Sequence, residues 1–133
     1  MKPLIDTNVC INYLRGKNPL VSALMMQHAA ADIVVCSVVR AELFHGVERS
    51  RNPANRARVD SFVAGFPTLP FDNAAAIIYG RIRHELEVKG LPIGANDLLI
   101  AAITLANGLT LVTHDTSDFG RIPSLPLVDW EIP

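Results

Sequence analysis

Ile33-Val34-Val35-Cys36 is apolar, mostly β-branched and free of polar alternation. A run of that length and pattern fits a strand buried on both faces, the arrangement found in parallel sheets covered by helices. Leu4-Ile5, Leu109–Thr113 and Leu127-Val128 have the same character, and Thr68–Phe71 is a further strand candidate. Between these runs lie stretches with helical signals. Val9 to Leu14 is apolar at helical spacing and closed by Gly16. Asn18-Pro19 and Asn52-Pro53 each read as an N-cap followed by proline at the first helical position. The first of these helices carries Leu20, Leu24 and His28 on one face. Ser37 reads as the cap of a helix running to about Arg49, with Val39, Leu43 and Val47 inward. Asp72 caps a long helix with the stripe Ala75, Ile78, Ile82, Leu86. Leu98 to Ile103 is apolar all round, which predicts a central buried helix. His114 to Gly120 reads as a polar loop. Strands alternating with helices define an α/β fold with a parallel sheet covered on both sides.

Residues 1–133 are of single-domain length and can bury a substantial core. Half of them are hydrophobic and 19% are charged, which excludes a disordered chain. No apolar run approaches the roughly 18 residues needed to span a bilayer. Asp6 interrupts the N-terminus too early for a signal peptide, so the expected location is the cytoplasm. Cys10 and Cys36 form no metal or redox motif and read as buried free thiols. The net charge of −1 argues against a dedicated nucleic-acid-binding module. Setting four of the 13 acids aside around a cation, however, leaves 9 against 12 Lys and Arg. The remaining surface is then mildly basic and compatible with nucleic acid.

The acids carry the chemical argument. Asp6 follows the first strand, Glu42 lies in the second turn after the second, and Asp115 follows Leu109–Thr113, with Asp118 three residues on. The C-terminal ends of parallel strands share one edge, where ligands bind. Chain order alone puts Asp6, Glu42 and Asp115 there. Asp97, at a helix start, joins them only if its buried helix packs that way. Taken singly, Asp97, Asp115 and Asp118 read more simply as helix caps and turn residues. Taken together, converging carboxylates repel one another unless a hard divalent cation joins them. Such a site serves phosphoryl transfer or phosphodiester hydrolysis.

Four segments in register also resemble the PIN-domain ribonucleases, and within them the VapC-type toxins of toxin–antitoxin pairs. They are Leu4-Ile5-Asp6-Thr7-Asn8, Ser37–Leu43 with Gly46, Pro92–Ala102 around Asp97, and Leu111–Phe119, closed by Leu127–Trp130. The resemblance covers essentially the whole chain. It implies a PIN-like three-layer α/β/α sandwich around a central parallel sheet of four to five short strands. It also implies a Mg²⁺-dependent endoribonuclease, with Mn²⁺ able to substitute. Asp6 and Asp97 would be the principal metal ligands, Glu42 would complete the metal cluster and help orient the attacking water, and Asp115 would be the fourth acid and metal ligand, with Asp118 a substitute for it. The family often has Asn where this chain has His114. Thr7 and Thr113 would position ligands or contact the phosphate. The implied partners are an RNA substrate, a small VapB-like antitoxin whose tail occupies the groove, and a second copy of the chain. DNA is reached only through the antitoxin, and no membrane is involved.

Arg40, Arg81, Arg83 and Lys89 are the cations considered for an RNA path, Arg40 foremost because it lies two residues before Glu42. The plainer reading of the others is a solvated helix face with pairs such as Arg81–Glu85 and Glu85–Lys89. Two further functions remain open. One is a non-catalytic PIN-like binding domain. The other is a phosphatase or receiver-like domain with Asp6 as nucleophile, although position 8 is Asn and no Lys follows a late strand.

Overall fold

A computed structural model describes residues 1–133. The order is β1 (Pro3–Ile5), α1 (Thr7–Arg15), α2 (Pro19–Met26), α3 (Ser37–Ser50), α4 (Pro53–Ala64), α5 (Asn73–Val88), α6 (Ala95–Ala106), β2 (Thr110–Val112), α7 (Thr116–Phe119) and β3 (Leu127–Val128). The sheet is wholly parallel, in the order β1-β2-β3, with Leu4 opposite Leu111 and Leu111 opposite Leu127.

Three strands form, fewer than the four to five expected. The two missing ones lie beside the sheet without becoming strands. Val34 makes a single parallel bridge with Leu4 on the free side of β1. Beyond it, the Val35 and Ser37 amides donate to the carbonyls of Pro67 and Leu69 at 3.2 and 3.0 Å. Pro67 and Pro70 have no amide hydrogen, so this outer segment accepts bonds but cannot donate at those positions. The inner segment is cut short because α3 begins at Ser37.

The helix signals are realised locally. Asp6, Asn18, Asn52 and Asp72 each cap a helix with a side-chain oxygen. Gly16 closes α1 at φ +63°, a conformation that favours glycine. The cap of α3 is Cys36 rather than Ser37, and no side chain bonds there. On α2 the buried residues are Val21 and Met25, while Leu20 and Leu24, and His28 beyond the helix end, are half-buried. His28 instead bonds the Leu24 carbonyl at 2.9 Å and stacks on Trp130. Ala75, Ile82 and Leu86 bury the inner stripe of α5.

α6 is the most deeply set helix, with Leu98, Ile100, Ala101, Ala102, Ile103 and Thr104 all buried. With β1, β2, Val9, Cys10, Val39 and Phe119 it belongs to one cluster of 30 buried apolar residues. Each large aliphatic side chain taken from water there contributes roughly 1.5–3 kcal/mol. Cys10 and Cys36 are free and buried in this cluster. The segment expected as a polar loop contains α7, a single turn whose Phe119 is fully buried.

Candidate active site

β1 and β2 end side by side, and the Asp6 amide continues the ladder by donating to the Val112 carbonyl at 3.0 Å. This register puts Asp6 and Thr113 at the C-terminal edge as neighbours. Asp6 is only 6% exposed, and both its oxygens are held. Oδ1 accepts from the Thr7 amide at 2.8 Å, and Oδ2 accepts from the Thr113 hydroxyl at 2.8 Å. Thr113 Oγ1 in turn accepts from the Asp115 amide at 3.0 Å, and Asp115 Oδ1 accepts from the Asp118 amide at 3.1 Å. On the other side, the Thr7 hydroxyl donates to Glu42 Oε1 at 2.6 Å. Thr7 and Thr113 therefore hold three acids from distant parts of the chain around one point.

Asp97 stands in the first turn of α6 but does not cap it; Gly94 does, without a side-chain bond. Its carboxylate instead meets those of Asp115 and Asp118, with one oxygen from each lying within 4.8 Å of the others. Both candidates for the fourth acid are thus present in the cluster. Asp115 also caps α7, so the turn reading and the site reading hold together.

Electrostatics reflect this crowding. Burial raises the Asp6 pKa above 3.8, helped by the charges of Glu42 and Asp115 and opposed by the bonds from Thr113 and Thr7. The Asp97 carboxyl is pushed up to about 6, first by burial and then by Asp6, Asp115, Glu42 and Asp118. The donors are all carboxylate oxygens, the set preferred by a hard cation that keeps part of its water shell. Soft ligands are absent: burial pushes the Cys36 thiol up to about 11. A divalent cation fits the acids that would otherwise repel one another.

The raised Asp97 pKa makes stability depend on pH. Folded Asp97 holds its proton more tightly than the unfolded chain, with a pKa of about 6 against 3.8. Metal-free stability therefore falls as pH rises through that interval and stays low above it. The metal-free Tm should be lower at pH 7.5 than at pH 5. Adding millimolar Mg²⁺ at pH 7.5 should restore it, because a ligand bound only by the folded state stabilises that state. Calorimetry at the two pH values, with and without the ion, measures both effects.

A cleft of about 700 Å³ opens over Asp6, Thr113 and Asp115. Its wall includes Arg15 and Lys17, which flank Gly16 at the α1–α2 corner. Sequence reasoning missed both; their only signal was the short distance from Asp6 along the chain. Arg40 is placed differently from the expectation. Its guanidinium donates to the carbonyls of Val63 and Phe66 at 2.8 and 3.1 Å, fastening the end of α4 to α3. On α5 the ion pair is Arg83–Glu87 at 3.6 Å, in place of the two pairs predicted. His114 is exposed and bonds Asp129 at 2.8 Å, which raises its pKa.

The sheet, its helical cover and the carboxylate edge define the PIN class, and the PIN-domain family model matches residues 4–125. At 38% identity the chain is similar to "Ribonuclease VapC2" of Rickettsia felis, over 96% of this chain and 97% of that one. It is 34% identical to the "tRNA(fMet)-specific endonuclease VapC" of Salmonella typhimurium, over 98% of each. Among solved structures, VapBC2 of Rickettsia felis bound to a promoter DNA fragment superposes with a TM-score of 0.91 at 36% identity, covering 98% of this chain and 99% of that one. The chain belongs to the PIN-domain family, in its VapC ribonuclease branch.

Proposed function

We propose that this chain is a Mg²⁺-dependent endoribonuclease that hydrolyses phosphodiester bonds in structured RNA, with tRNA as the substrate class. The observation that carries it is the desolvated Asp6 carboxylate, held by two threonines beside Glu42, Asp97, Asp115 and Asp118. Asp6 and Asp97 are the principal metal ligands, and Asp115 is the fourth acid, with Asp118 bordering it. Bound Mg²⁺, with Mn²⁺ able to substitute, supplies positive charge for the phosphate oxygens and lowers the pKa of a water. Glu42 Oε1 is occupied by the Thr7 hydroxyl, which leaves Oε2 to accept a proton from the attacking water. Thr113 fixes Asp6 and the Asp115 backbone at once, so it orients two acids with one hydroxyl.

The tRNA class rests on the Salmonella typhimurium relative named as a tRNA(fMet)-specific endonuclease. The VapBC complexes, both bound to DNA, support a toxin's role for this chain, held inactive by a VapB-like antitoxin. The proposal further takes residues 1–133 as one nuclease domain that forms homodimers and acts in the cytoplasm. No helix is long and apolar enough to cross a membrane.

The test is cleavage of an initiator tRNA transcript by the purified chain, with sequencing of the RNA ends. Discrete new ends should appear in Mg²⁺ or Mn²⁺ and disappear in EDTA. Undiminished cleavage in EDTA would remove the metal from the mechanism.

A further inference from the structure

Helix α1 starts at the catalytic edge and leads away from it. Asn8, Ile11, Asn12 and Arg15 are spaced i, i+3, i+4, i+7, so they form one stripe, and all four line the cleft above Asp6. At 1.5 Å per residue, Arg15 lies about 13 Å along the axis from Asp6. Lys17 follows across the Gly16 turn on the same wall. These two are the only Lys or Arg residues that line the cleft.

Both are exposed, and neither enters an ion pair. Several other cations are committed elsewhere. Arg58 donates to the Leu14 carbonyl, Arg121 to the Pro92 carbonyl, and Arg40 to the end of α4. Glu131, which also lines the cleft, has Oε1 engaged by the Asn12 amide at 2.6 Å. The corner itself is fixed from below. Asn18 caps α2 and also donates to the Glu131 carbonyl at 3.2 Å. The backbone is therefore rigid where the two cationic side chains are free.

A strong negative field at the floor and two unpaired positive charges on one wall give the cleft a direction. We propose that the RNA strand leaves the carboxylate cluster along α1, with Arg15 and Lys17 gripping phosphates next to the one being cut. The inference rests on the ribonuclease reading and adds a path to it. The path runs over the α1–α2 corner and not along α5, where Arg81 and Lys89 lie outside the cleft. Arg15 and Lys17 are binding residues for flanking phosphates and touch no reacting atom.

The experiment measures cleavage of an initiator tRNA transcript in Mg²⁺ across a salt series. It uses the parent, Asp6→Asn, the Arg15→Gln/Lys17→Gln variant, the charge-keeping Arg15→Lys/Lys17→Arg variant and an Arg81→Gln/Lys89→Gln control. Removing the two charges should lower kcat/KM about tenfold at low salt, mainly through KM. It should also flatten the slope of log kcat/KM against log salt by about 1.4, roughly 0.7 for each lost contact to a single strand. The charge-keeping variant should retain the parent slope, and so should the control. A neutral variant with the parent's KM and slope overturns the path while Asp6→Asn remains inactive, so the ribonuclease reading survives that outcome. A parent that cuts no RNA sinks both.

Discussion

Asp6→Asn leaves a folded chain that cleaves RNA more than about a hundredfold more slowly than the parent. Changes in groups that only orient a metal ligand cost about 10–100-fold, and the proposed mechanism makes Asp6 the ligand itself. Folding should survive the change. The substituted side chain retains an oxygen for the Thr7 amide, and its neutral amide removes a buried charge that Glu42 and Asp115 repel. The Tm of the metal-free variant at neutral pH should equal or exceed that of the parent, and its rise on adding Mg²⁺ should shrink. Activity and stability thus move in opposite directions, as expected where a site is assembled against its own electrostatics. A variant that cuts RNA at the parent's rate would show that Asp6 is not in the chemistry.

Phe119→Ala should cost about 3–5 kcal/mol, the usual penalty for emptying a fully buried aromatic site. Against a total of roughly 5–15 kcal/mol, that is a large share of the stability of a chain this size. The local effect matters more for function. Phe119 anchors α7, the single turn that carries Asp118 and is capped by Asp115. Losing the anchor frees both acids while leaving Asp6 and Glu42 in place. Urea unfolding gives the first number, and Mg²⁺ titration by calorimetry gives the second effect as weakened binding. Unchanged Mg²⁺ affinity in the folded variant would separate α7 from the metal site.

Much of this was legible in the sequence, for reasons that differ from residue to residue. Asp6 and Glu42 were readable because an acid after a short buried strand has few places to go. The packing of α6 fixes where Asp97 points, and its uniformly apolar character predicts burial but no orientation. Only the tertiary fold brings its carboxylate to Asp115 and Asp118. The strand count came out low because hydropathy reports burial, whereas pairing also needs amides that Pro67 and Pro70 lack. Helix α7 was illegible because four residues hold too little periodicity, and a lone Phe in a polar run looks like an accident. Arg15 and Lys17 were passed over because the direction of the α1–α2 corner depends on tertiary contacts through Asn12, Asn18 and Glu131.

The bond from Thr113 to Asp6 joins residues 107 positions apart. β1 likewise pairs with β2, and nothing between them in the chain takes that place in the sheet. On the ribosome, the side of the first strand that faces β2 must therefore wait for more than a hundred further residues before it is paired. Domains fold as units once their parts have emerged, so the carboxylates cannot be gathered in the nascent chain. The carboxylate cluster therefore exists only once nearly the whole chain has been made.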